Sequence, residues 1–331
     1  MFVKHYPIID FHCDLLCYLA LDPRRTPYDP IARCSVPQLK QGNVKMQVMA
    51  IFTMTEEGSG RSGEAQMHAF RNLLQKHSQE FTSVHSPVEG KIGVMPAIEN
   101  ASGFCEEADD LDAALERLTT WRRKIGTLAY ISLTWNMENR FGGGAHSSVG
   151  LKSDGKRLLE YMCAHKIPVD LSHTSDALAY DILNYIDKQG MALAVLASHS
   201  NARSVVNVPR NLPDELIKEV VRRRGIIGIN FVRDFIGTPS PDFFNRQLDH
   251  FCALGAQKHL CFGADFFCTE DVERVLTAPK VSRFFPDYEH SGAYGNVIDL
   301  WRKHGVASEE VLADVCHGNA ERFLKGLRPS D

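Results

Sequence analysis

Five apolar segments of this sequence end in residues that could do chemistry together. They read Asp10-Phe11-His12-Cys13-Asp14, Ala97-Ile98-Glu99-Asn100, Asp170-Leu171-Ser172-His173, Ala197-Ser198-His199-Ser200 and Gly263-Ala264-Asp265. A histidine or a carboxylate that ends one strand is ordinarily a hydrogen-bonded rim residue or a helix cap. The same event at five segments calls for another explanation. Gathered in one place, His12, His173, His199, Asp14, Glu99 and Asp265 form a donor set suited to zinc-like ions, and so many carboxylates buried without a cation would be costly. His12 and Asp14 are two residues apart, so along a strand they face the same way and can share one ion. His173 and His199 can hold a second, with Glu99 giving one oxygen to each. Two ions about 3.5–4 Å apart would share a water, lower its pKa and polarise a bound carbonyl. Asp10 and Asp170 are expected to support these ligands rather than to join them.

Such a cluster needs a scaffold that brings several strand ends to one place. Mostly apolar runs at Pro7–His12, Met46–Phe52, Ile92–Ile98, Leu128–Thr134, Pro168–Ser172, Ala192–Ser198, Ile226–Phe231 and His259–Ala264 read as strands buried on both faces of a parallel sheet. Helices are expected between them near 64–80, 106–124, 154–165, 175–189, 213–224 and 242–255. Starts are marked by Ser153-Asp154, Ser175-Asp176 and Pro213-Asp214-Glu215, and ends by Gly90, Gly126, Gly190 and Gly225. Eight strands alternating with helices, and no GxGxxG after the first, favour a (β/α)8 TIM barrel of the metal-dependent hydrolase type. In that fold all strand C-termini meet at one mouth. Residues 1–331 are expected to form one catalytic domain. The long connections 15–45 and 266–291 stand out, the second carrying Phe266, Phe267, Phe284, Phe285 and Tyr288 as a lid or interface.

The bulk properties exclude other classes. A formal charge of −4 without basic blocks argues against nucleic acid, and Arg222-Arg223-Arg224 reads as a solvent-facing helix end. Nine cysteines, an odd number without a CxxC pair, fit a reducing compartment. No leader pattern opens the chain and no apolar stretch reaches the roughly 20 residues that span a bilayer, so a cytoplasmic protein with no membrane partner is expected. His5, His68, His77, His85 and His304 are expected in solvent.

From Ile8 to about Phe323 the sequence resembles the membrane, or renal-type, dipeptidases, a branch of the metal-dependent barrel hydrolases. The marks are Ile9-Asp10-Phe11-His12-Cys13-Asp14, the turn from Pro37 to Asn43, Ala97-Ile98-Glu99-Asn100, Asp170-Leu171-Ser172-His173-Thr174, Ser198-His199-Ser200-Asn201-Ala202-Arg203, Pro209-Arg210-Asn211-Leu212-Pro213-Asp214 and Gly263-Ala264-Asp265-Phe266. The resemblance implies a zinc-dependent dipeptidase tolerant of a D-residue at the second position. Two Zn2+ ions would be held by His12 and Asp14 on one side and by His173 and His199 on the other, with Glu99 between them. Asp265 would be the acid/base group and Arg210 would bind the dipeptide's terminal carboxylate. Small peptides would be the substrates, and a homodimer is plausible.

Two departures are visible. Where renal-type members have a histidine after Leu-Thr of the fourth strand, this chain has Trp135 followed by Asn136, which are taken as substrate-binding residues. His146, in Gly142-Gly143-Gly144-Ala145-His146, is a candidate replacement for that histidine. After Asp265-Phe266, the pattern's second acidic residue is replaced by Phe267. Two alternatives to a dipeptidase stand beside it: another amidohydrolase acting on N-acyl amino acids, lactams or phosphoesters, or a metal-binding relative without catalysis.

Overall fold

The predicted strands lie side by side, all parallel. The computed structural model describes residues 6–238, 240–276 and 282–327. Its strands are β1 (Ile8–Cys13), β2 (Val44–Phe52), β3 (Phe81–Ser83), β4 (Ile92–Glu99), β5 (Ile131–Ser132), β6 (Val169–Asp170), β7 (Val195–Leu196), β8 (Ile227–Ile229) and β9 (Leu260–Phe262). They pair in the order β7-β6-β5-β4-β2-β1-β9-β8, with the short β3 attached to β4 outside the ring. One parallel bridge from Ala197 to Ile227 joins the two ends, through Ala197 N–H to Ile226 O at 2.9 Å and Gly228 N–H to Ala197 O at 2.8 Å. The result is the expected eight-stranded parallel barrel, nearly closed, with helices in between. A Cβ on Gly228 or Gly263 would run into the Ser198 carbonyl, so these glycines let β7 approach its neighbours at the seam.

Side chains alternate along the strands between two cores. Ile9, Phe11, Met46, Val48, Met95, Ala97 and Tyr130 fill the barrel, and Phe323 from the helix Asn319–Gly326 meets Phe11 with ring centroids 6.0 Å apart. Ile8, Met49, Ile51, Ile98 and Val169 pack outward against helices such as Ser59–Lys76, Leu111–Ile125 and Ser153–Ala164. The helix Asp176–Gln189 starts as its sequence suggests, Ser175 accepting the Leu178 N–H at 2.9 Å, and ends at Gly190 in the left-handed region.

Several sequence expectations are corrected. β5, β6 and β7 have only two residues each, the apolar runs continuing past the last ladder pair. Gly90 ends no helix: the preceding helix stops at Lys76 and β3 intervenes. Arg223 folds onto Asp187 at 2.6 Å rather than facing solvent. The 266–291 connection is no free lid in its described parts. Phe266, Phe284 and Phe285 are buried, Phe266 lying against Phe231 and Phe284, and Thr269–Leu276 is helical. Residues 277–281 of that connection, and His5, lie outside the described residues.

Candidate active site

The expected metal ligands and Asp265 sit at or just beyond the C-terminal strand ends. His12 is in β1 with Asp14 just after it, Glu99 ends β4, His173 and His199 follow β6 and β7, and Asp265 follows β9. Glu99 is the centre. Its Oε2 lies 3.1 Å from His12 Nε2, while its Oε1 lies 2.9 Å from His173 Nε2 and 3.6 Å from His199 Nε2. The two histidine nitrogens of the second group are 3.0 Å apart. His12 Nε2 also lies 3.9 Å from Asp14 Oδ1 and 3.6 Å from Asp265 Oδ1. One carboxylate thus divides its oxygens between a His12–Asp14 side and a His173–His199 side.

Each imidazole is turned to present the same atom. His12 Nδ1 is bonded to the Tyr130 hydroxyl at 2.6 Å, which in turn donates to Phe11 O at 3.1 Å. His173 Nδ1 donates to Asn136 Oδ1 at 2.8 Å, and His199 Nδ1 lies 2.6 Å from Ser198 Oγ, a hydroxyl that donates to Asp170 Oδ2. With Nδ1 tied in all three, each Nε2 is turned toward Glu99. Tyr130, Ser198 and Asn230 were not singled out from sequence. Asn230 donates to Asp265 Oδ2 at 2.9 Å. It follows the apolar run Ile227-Gly228-Ile229, the same signal that marked the other site residues.

Asp10 and Asp170 are matched braces. Asp10 accepts from His12 N–H at 2.7 Å, Gln47 Nε2 at 3.0 Å, Ala264 N–H at 3.0 Å and the Tyr294 hydroxyl. Asp170 accepts from Ser172 N–H at 3.0 Å, Ser198 N–H at 2.8 Å, Ser132 Oγ at 2.7 Å and Ser198 Oγ at 2.6 Å. Each thereby ties its own strand to the next just below the ligands. Asp170→Ala is expected to cost roughly 2–4 kcal/mol, since it strands several buried donors; urea unfolding of variant and wild type measures it.

Three positive-φ residues lie at the site. His173 and Asp265 have φ of 65° and 63°, and Asn100, next to Glu99, has 73°. Left-handed conformations are uncommon for such residues and persist where the surroundings enforce them.

The donor set calls for positive charge. Burial lowers the His12 pKa, yet Glu99, Asp14 and Asp265 outweigh it and hold the imidazolium up at about 10. Burial pushes Asp14 well above the carboxylate range, with Glu99 adding to the effect. Asp265 is pushed up to about 6, chiefly by burial. His173 falls to about 3 through burial and Arg210, so it stays neutral and able to ligate. His12 Nε2 and Asp14 Oδ1 are buried with no hydrogen-bond partner. His12, Glu99 and His199, and likewise His12, Asp14 and Asp265, bring ligand atoms within 4.8 Å of one another. Imidazole nitrogens and carboxylate oxygens converging in this way fit divalent metal ions.

A cavity of about 230 Å³ opens over this centre, lined by Asp14, Glu99, His173, Asp265, Trp135 and Asn136 among others. His146 is exposed and lies off the cavity wall, which removes it as a replacement for the missing histidine. Arg210 is 5% exposed and packs against His173, one of the residues that line the cavity. Its Nε is 3.2 Å from His173 Nε2, Nη1 donates to Ser200 Oγ at 3.0 Å and Nη2 to His199 O at 2.9 Å. Among the described residues no carboxylate pairs with it.

Residues 1–326 match the family model for membrane dipeptidase, peptidase family M19. The chain belongs to that family. As a member, it is a metal-dependent hydrolase of peptide bonds. Curated relatives include Dipeptidase ataJ of Aspergillus terreus, 27% identical over 89% of this chain and 77% of that protein. Another is an uncharacterized dipeptidase of Schizosaccharomyces pombe, 28% identical over 98% of this chain and 81% of its own. Among solved structures, a metallo peptidase from Rhodobacter sphaeroides, liganded with a phosphinate mimic of the dipeptide L-Ala-D-Ala, superposes with a TM-score of 0.81. It is 19% identical and is matched over 97% of this chain and 99% of that one. Despite the family's name, no helix among the described residues is long and apolar enough to cross a membrane.

Proposed function

We propose that this family member hydrolyses unblocked dipeptides with two zinc ions, on one side His12 and Asp14, on the other His173 and His199, with Glu99 shared. The observation that carries this reading is the division of the two Glu99 oxygens between the two groups of Nε2 atoms. When bound, the metal would polarise the scissile carbonyl and lower the pKa of the attacking water.

The chain's own groups supply the rest. Asp265, held by Asn230 on Oδ2, offers Oδ1 toward the centre to take the proton of the attacking water and return it to the leaving amine. Burial raises its carboxyl pKa, and cations bound beside it would draw it back to the ionised form that accepts a proton. Arg210 is a buried guanidinium without an acidic partner among the described residues, suited to pair with the substrate's terminal carboxylate. Trp135 and Asn136 flank the substrate, and Asn136 also fixes His173. Tolerance of a D-residue at the second position is supported by the mimic bound to the Rhodobacter relative. One catalytic domain, working in the cytoplasm, agrees with nine free cysteines, and a homodimer is the assembly we propose.

The test compares a dipeptide, its C-terminal amide and a tripeptide, each with L- or D-residues at position two. The free dipeptide is expected to be strongly preferred. Arg210→Met is expected to lower kcat/KM by roughly two to three orders of magnitude, because truncating one partner of a buried charge pair costs about 2–5 kcal/mol. Equal rates on dipeptide and amide would take Arg210 out of the carboxylate role and favour an amidohydrolase of different substrate class.

A further inference from the structure

We propose that the cavity over the catalytic cluster selects dipeptides with bulky apolar side chains and rejects charged ones. This rests on the dipeptidase reading and adds the substrate class to it. Outside the catalytic cluster the lining is dominated by Phe52, Trp135, Val232, Phe235, Phe267 and Val272. These walls are braced from behind. Trp135 meets Phe52 edge-on with centroids 5.2 Å apart and lies 5.8 Å from the His173 ring, while Phe267 packs on the buried Phe284 at 5.2 Å. Trp135 and Phe267 are the two positions where the sequence departs from the renal-type pattern. At both, an ionisable side chain is replaced by an aromatic ring, and both rings line the cavity.

The remaining charged residues of the described wall are held in ion pairs, although Arg283 Nε has no hydrogen-bond partner. Asp271 has both oxygens bonded to Arg25, at 2.5 and 2.7 Å, and Arg283 Nη1 holds Asp234 Oδ2 at 3.0 Å. A charged substrate side chain would lose its hydration against aromatic walls and find no unpaired opposite charge among the described lining residues. An apolar one would gain the full benefit of burial.

The test uses metal-replete protein and two peptide series, X-Ala and Ala-X, with X as Ala, Leu, Phe, Asp or Lys. Leu or Phe is expected to exceed Asp and Lys by on the order of 10²-fold in kcat/KM in at least one series. Trp135→Ala should lower the Phe-to-Ala ratio about tenfold. Asp234→Ala, which frees Arg283, should raise the Asp-to-Phe ratio about tenfold. If Asp or Lys peptides match the apolar ones, the selectivity claim fails and the dipeptidase reading stands. An unchanged Asp-to-Phe ratio in Asp234→Ala overturns the claim that pairing of the wall charges excludes charged side chains. Hydrolysis of no dipeptide at all overturns both.

Discussion

Asp265→Asn is expected to keep the fold and the metal while kcat falls by on the order of 10²–10⁴-fold with KM little changed, the size associated with loss of a positioned acid/base group. The amide is isosteric, and its oxygen can still accept the Asn230 hydrogen bond that now ends on Oδ2 at 2.9 Å. What disappears is the proton-accepting oxygen that faces His12 Nε2 at 3.6 Å. Steady-state kinetics with metal content measured on the same samples separates the possibilities. Lost metal or a lower melting temperature would make Asp265 a ligand or a structural cap. Near-normal turnover in a fully metallated variant would require another proton acceptor, and Glu99 would be the first to consider.

Glu99→Gln is expected to do the largest damage of any single change at the site. Glu99 is buried and is the one described carboxylate within reach of all three imidazoles. An amide in its place turns an NH2 group toward one of the two sides, where no cation would tolerate it. At least one metal equivalent should be lost. Because the metal contributes several kcal/mol of transition-state stabilisation, kcat should fall about 10³-fold or more. Elemental analysis and dipeptide turnover, read together, decide the matter. A Gln variant that keeps its full metal content would show that Glu99 is not shared between ions.

His12, Asp14, Glu99, His173, His199 and Asp265 were legible in the sequence for one physical reason. Each interrupts or directly follows an apolar run, and a parallel barrel delivers all such ends to one mouth. Their supports were less visible, because a supporting residue need not break a pattern. Tyr130 stands inside an apolar strand where its ring looks like core, and only its hydroxyl touches His12. Ser198 is a small residue of a kind common at strand ends, and nothing in its type points to its bond with His199. The short lengths of β5 to β7 were hidden as well, since apolar composition continues past the last ladder bond. Phe266, Phe284 and Phe285 looked like lid residues because they lie in a long connection, but composition alone cannot show that a loop folds back into the core. Phe267, which replaces the pattern's second acidic residue, lines the cavity.

The central claim is that two ions on either side of Glu99 are needed for dipeptide hydrolysis. It is tested most directly by stripping the protein with a chelator, adding zinc stepwise, and following bound metal and L-Ala-D-Ala hydrolysis on the same samples. About two zinc per chain should bind, with full activity reached only as the second site fills. Hydrolysis by the stripped protein, or full activity at one equivalent with no further binding, would contradict the account.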